Sequence, residues 1–306
     1  MTTTPEHAAA PRPAGQIHDL GYRRYDGPRL GRAAIIRALT WHSFRSAWGF
    51  GRGAKAKIVP FLMFAAMCLP AFVNAFAVAQ PGSTGPLFGY DVYVPTLRVV
   101  IVIIFLAAQA PELVSRDLRS RVLPLYFSRP LHRGDYPLAK YLALTGALLA
   151  LIEIPLLVLY VGNIVSAKGG SAIWTQTREL AGGLGMGLVW AVLMAAIGLV
   201  LASLSGRRAY ATGIVAISCV LTWVLATLLI QTEGGYGATD IGARLGGLLS
   251  PFTIIDGVRI WLGGKNQGLD PVSLGPYGPL YGLVALILLA ACLGGLAARY
   301  AKVSRS

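Results

Sequence analysis

Charge is scarce in this chain. Only 13% of its 306 residues are Asp, Glu, Lys or Arg, about half the share of an ordinary soluble domain. That scarcity excludes a typical cytosolic enzyme and, with so many apolar residues, a disordered chain. Acids are scarcest, at 13 against 27 Lys and Arg, for a net charge of +14. The three cysteines, Cys68, Cys219 and Cys292, are far apart and form no CxxC, which excludes a disulfide scaffold. The four histidines (His7, His18, His42 and His132) lack metal-ligand spacing. No GxxxxGK[ST] loop is present: around Gly264-Lys265, Asn266 stands where Ser or Thr belongs and Arg259 where the first Gly belongs. HExxH, GxSxG and EF-hand patterns are also missing. The chain is therefore expected to be neither an enzyme nor an ATP binder, with no cofactor or metal of its own.

Apolar residues make up 55% of the chain, and its mean hydropathy is +0.61. A helix needs about 20 apolar residues to cross the ~30 Å hydrocarbon core. Six runs reach or approach that length: Ile58–Ala79, Val94–Ala110, Tyr141–Ile164, Leu180–Leu204, Ala211–Ile230 and Pro279–Ala298. None alternates with a period of two, so a β-barrel is not expected. The fold class read from this pattern is an all-α integral membrane protein with six transmembrane helices. The cysteines fall inside these runs and read as small core residues. Gly183 and Gly187 make a small-xxx-small pair in the fourth run, suited to close helix packing rather than to nucleotide binding.

Lys and Arg orient the spans. Ten precede the first run, six lie between the second and third, two between the fourth and fifth, and three in the tail. The opposite side carries only Lys168, Arg178, Arg244, Arg259 and Lys265, and Arg98 lies within the second run. Both termini are expected in the cytoplasm, in the plasma membrane of a bacterium. This asymmetry accounts for the basic excess without nucleic acid, for which no motif is present. The resulting organisation is a cytoplasmic tail and interfacial helix over 1–57, a six-helix transmembrane domain over 58–298, and a cytoplasmic tail over 299–306. No secretory signal is read, and the first span is expected to serve as the insertion signal.

Four segments stand out within this frame. From Pro28, Leu30, Ala34, Trp41, Phe44 and Trp48 fall on one helical face, which predicts an amphipathic helix on the inner leaflet; packing beneath the bundle is the alternative. The 111–140 loop, PELVSRDLRSRVLPLYFSRPLHRGDYPLAK, is long for a connector. The 231–278 stretch is Gly-rich, and its 241–262 portion reads as two short extracytoplasmic helices rather than a seventh span. Finally, Arg98 and Glu153 lie at similar depths in consecutive spans, which predicts an ion pair because a lone charge there costs several kcal/mol. Pro155 is expected to kink the helix carrying Glu153.

The 111–140 loop carries a family resemblance. Glu112, a charged turn, a short apolar helix, Arg129-Pro130, Arg133 and then Lys140 resemble the membrane subunits of type-2 ATP-binding cassette transporters. Arg121-Val122-Leu123 stands where that family has Gly-Thr-Leu. The segments DLGYRRYDGPRLGR and SPFTIIDGVRIWL are also similar to an actinobacterial branch. The resemblance implies a permease subunit powered by ATP and magnesium on a separate nucleotide-binding subunit, in two copies, beside a second permease chain, identical or homologous. It implies a coupling helix within 115–135, with Glu112, Asp117, Arg119, Leu123, Tyr126, Arg129, Pro130, Arg133 and Lys140 serving the ATPase contact. The few internal charges lean toward export of an amphipathic or lipid-like cargo. The residues also leave open a stand-alone secondary transporter or channel and a non-transporting membrane anchor.

Overall fold

Each of the six apolar runs has a helical core in the computed structural model of the chain, which describes residues 27, 31–80, 87, 89–90, 95–119, 131–132, 134–167, 169–232, 241–264 and 274–303. The helices among the described residues are α1 (Arg32–Ala47), α2 (Lys55–Val78), α3 (Pro95–Arg119), α4 (Asp135–Ser166), α5 (Gly170–Ser203), α6 (Arg208–Thr232), α7 (Ile241–Gly246), α8 (Pro251–Trp261) and α9 (Gly278–Val303). No strand occurs among the described residues. Six of these helices, α2 to α6 and α9, are long and apolar enough to cross a membrane. From Arg32 onward the chain forms one compact unit.

The boundaries deviate from the apolar runs where polar residues continue a helix. α5 begins ten residues ahead of Leu180 and takes in exposed Arg178 and Glu179. Its 34 residues span about 51 Å at 1.5 Å per residue, more than a bilayer with its headgroups. α4 runs on through Pro155 as a single helix. The 241–262 stretch folds as the short helices α7 and α8, joined by a 3-10 turn at Gly247–Leu249. Ser250 starts α8, its Oγ accepting the Phe252 N–H at 3.3 Å, with Pro251 in the first helical position. At 11 residues α8 is too short to span.

α3 is the hub of the bundle. In its most apolar window 78% is buried, against 11% for α9, and its neighbours include α2, α5 and α6. α4 packs against α1, α2 and α5. Glycines set the closest approaches: a Cβ on Gly162 of α4 would fall 2.5 Å from Ala75 Cβ of α2. The Gly183–Gly187 pair faces inward as its spacing predicts, with Gly183 against Tyr90 and Leu156 and Gly187 against Ile152 and Glu153. Gly257 and Gly247 leave room for the buried Tyr281, whose hydroxyl donates to the Arg244 carbonyl at 2.6 Å.

α1 splits the predicted stripe. Its buried side is Leu39, Ser43 and Ala47, packed against α4 and α3, while Trp41 is 60% exposed and stacks on Phe44 at 5.5 Å. Trp48 is buried among Phe61, Phe64 and Phe105. The Trp48 N–H still bonds the Phe44 carbonyl at 3.3 Å, so Trp48 is the last residue of the helical path, and it is buried because α2 folds back and lays Phe61 and Phe64 over it. Gly49 adopts φ +78°, its N–H bonds the Ser46 carbonyl at 3.0 Å, and the Phe50 N–H bonds the Arg45 carbonyl at 2.9 Å. That is a Schellman stop. A Cβ on Gly49 would lie 2.7 Å from the Ala56 carbonyl oxygen, so the turn also demands a residue without one.

Candidate functional site at the charged end of the bundle

One end of the bundle gathers the start of α2, the end of α3, the starts of α4 and α6, and the ends of α5 and α9. Three carboxylates knit it together. Glu112, with only 5% of its side chain exposed, takes Arg52 at 2.8 Å and Arg208 at 3.1 Å. Arg52 stands in the α1–α2 turn, where the same guanidinium also donates to the Ser46 carbonyl and, at 3.4 Å, to Gln109 Oε1. One arginine therefore caps α1 and locks the turn to α3.

The second carboxylate, Asp117, pairs with Lys140 at 2.9 Å and accepts the Tyr136 hydroxyl at 2.7 Å, joining α3 to α4. Tyr136 in turn packs on Tyr300 of α9 with ring centroids 5.1 Å apart. The third, Asp135, takes both prongs of Arg32 at 2.6 and 2.7 Å and the His132 N–H at 2.8 Å, tying α4 to α1. The hydrogen bond to Asp135 holds the Arg32 guanidinium above its usual range. Ser115 adds a bond to the Ala202 carbonyl at 3.0 Å, which fastens α3 to the end of α5.

The residues read as coupling positions divide into two groups. Glu112, Asp117 and Lys140 converge at this end and are committed to ion pairs within the chain. Arg119 is exposed beside them. Leu123, Tyr126, Arg129, Pro130 and Arg133 lie outside the described residues, as does the short apolar helix at 122–127. The described residues thus form the two rims of the 111–140 segment, each fastened to other helices. Arg32, Arg52, Asp135, Tyr136, Arg208 and Tyr300 were not singled out from the sequence. The one local signal was Arg52 amid the glycines of GFGRG.

The intramembrane pair does not form. Arg98 is buried, with its guanidinium 4.8 Å from the Trp190 ring, a cation–π contact between α3 and α5. Glu153 lies half-buried against Gly187, and among the described residues it makes no hydrogen bond or ion pair. Matching depths brought both charges level with α5, but depth carries no information about which way each helix face points.

A polar cluster that the sequence reading missed occupies the opposite end. Asn74 of α2 donates to Asn163 of α4 at 2.8 Å, and Asn163 donates to Tyr90 and to Gln176 of α5, both at 3.2 Å. The Tyr90 hydroxyl completes the cluster by donating to Gln176 Oε1 at 2.8 Å. The visible signal was an Asn in each of two apolar runs, since amides within spans bond between helices. Between α5, α6, α8 and α9 lies an apolar cavity of about 360 Å³. Among the described residues no group of three His, Cys, Asp or Glu could hold a metal ion. Compared with known protein families and with curated proteins, the chain matches none.

Proposed function

We propose that this chain is the membrane-spanning permease subunit of an ATP-driven transporter, with ATP hydrolysed by a separate nucleotide-binding partner docked near residues 115–135. The observation that carries the reading is the bracing of that segment's two rims. Glu112, Asp117 and Asp135 connect them to the α1–α2 turn, to α6, to each other's helices and to α1. A push delivered between such rims moves α3 and α4 together instead of bending a loose loop. The six apolar helices and the lack of a Walker loop fit the same division of labour. On this reading the braced end faces the cytoplasm of a bacterium, as the Lys and Arg distribution expects. The short helices α7 and α8 then lie at the outer face, and an amphipathic cargo leaves the cell through a pair of permease chains.

The test is whether a Walker-type ATPase co-purifies with this chain from its own cells, followed by reconstitution of the pair into vesicles. Stable association and flux that requires ATP are expected, with flux lost when the partner's Walker lysine is replaced. No association, or flux undiminished without ATP, overturns the reading. A second reading, a cation-coupled carrier, is favoured by one feature, the half-buried Glu153. Flux driven by an ion gradient alone distinguishes it.

A further inference from the structure

We propose that the cleft between the end of α3 and the start of α6 binds the headgroup of an anionic phospholipid from the adjoining leaflet. The cleft has a volume of about 1170 Å³ and is lined by Arg119, Arg207, Arg208, Tyr210 and Thr212, with no carboxylate among the described lining residues. Glu112 lies behind it and serves both Arg52 and Arg208, while Asp117 is committed to Lys140. Three guanidiniums (Arg119, Arg207 and Arg208) therefore line the cleft, and the Glu112 charge that Arg208 meets is shared with Arg52, which leaves a surplus of positive charge facing the cleft. The planar fork of arginine matches two oxygens of a phosphodiester.

The helix below the cleft supplies the second half of the site. Tyr210, Ile217, Leu221 and Leu228 repeat along one face of α6, and each is at least half exposed. The Arg207 guanidinium lies 5.8 Å from the Tyr210 ring, at the top of this stripe. Tyrosine is favoured at that level, where its ring meets hydrocarbon and its hydroxyl meets water. From Tyr210 to Leu221 the helix rises about 16 Å, close to half of the ~30 Å hydrocarbon core. A cationic cleft capping a one-leaflet apolar stripe has the two-part chemistry of a charged phospholipid. A soluble acidic partner or free phosphate would use only the upper part. The proposal rests on α6 spanning a membrane and is independent of any ATPase, so loss of ATP-driven flux leaves it intact.

The experiment is native mass spectrometry of the full chain, released from micelles doped with phosphatidylglycerol or phosphatidylcholine of identical acyl chains. Preferential retention of phosphatidylglycerol is expected. Arg119→Gln and Arg207→Gln should each weaken that retention about five-fold, the increment typical of one basic residue near an anionic surface. Arg207→Lys should keep most of the binding, and phosphatidylcholine should be unaffected throughout. Equal retention of the two lipids overturns the proposal. So does an equal loss with Arg178→Gln, which lies at the other end of the bundle, or displacement of the lipid by millimolar inorganic phosphate.

Discussion

Replacing Glu112 by Gln removes one charge and almost no volume from the carboxylate that ties the α1–α2 turn and α6 to α3. Its two partners differ in a way that sets the magnitude of the loss. Arg52 has 16% of its side chain exposed and Arg208 has 61%. A hydrogen bond to a charged group within the protein contributes about 1.5–3 kcal/mol. An exposed ion pair contributes about 0.2–1 kcal/mol and is screened by salt. Glu112→Gln should therefore destabilise the chain by about 2–4 kcal/mol, most of it through Arg52. Double-mutant cycles separate the two contributions: Glu112→Gln with Arg52→Gln, and Glu112→Gln with Arg208→Gln, each followed by reversible unfolding in detergent. The first cycle should give a coupling of about 1.5–3 kcal/mol that persists at high salt. The second should give less than about 1 kcal/mol, vanishing as salt rises. Equal couplings, or an Arg52 coupling near zero, would refute the claim that this carboxylate anchors the α1–α2 turn.

Two further substitutions probe the helix contacts. Gly162→Ala should lower stability by about 1–3 kcal/mol, because the added methyl meets Ala75 at 2.5 Å and forces α2 and α4 apart. Gly213→Ala, where the space around the glycine is open, should instead stabilise α6 by about 0.5–1 kcal/mol; thermal midpoints of the two variants in detergent should move in opposite directions. Asn163→Leu should cost about 1–2 kcal/mol by removing the amide that bonds Asn74, Tyr90 and Gln176, and hydrogen exchange should speed up at the adjoining ends of α2 and α4.

The spanning helices were legible because lipid demands length and apolarity, and both are local properties of a sequence. Run lengths therefore located the cores of α2 to α6 and α9, but missed where polar residues extend a helix: α3 continues to Arg119, α4 begins at Asp135, α9 runs on to Val303, and α5 starts well ahead of Leu180. There the polar segment from Gly170 continues the helix with no apolar residue required to mark it. The details that failed depend on direction rather than composition. Trp48 reads as part of the Trp41 face, but the turn at Gly49 brings α2 back across it, so Phe61 and Phe64 bury Trp48 while Trp41 stays exposed. Arg98 and Glu153 share a depth, but rotation about each helix axis aims Arg98 at Trp190 and Glu153 at Gly187. In the candidate site, Glu112, Asp117 and Lys140 were reached through the family resemblance of the 111–140 segment. Their partners were not legible, since Arg52 and Arg208 are remote in sequence and only the fold brings both to Glu112. The same remoteness hid the Asn74–Asn163 bond, although each Asn was conspicuous within its apolar run.

The central position of α3 has a consequence for biogenesis. This helix is the second span to emerge from the ribosome, yet α5 and α6, which enclose it, are made later. The indole that covers Arg98 follows about ninety residues behind it, a delay of roughly five to twenty seconds at ~5–20 residues per second. Throughout that interval the cation–π contact between Arg98 and Trp190 cannot form, so the α3–α5 packing that it supports is completed only after the fourth long helix has been made.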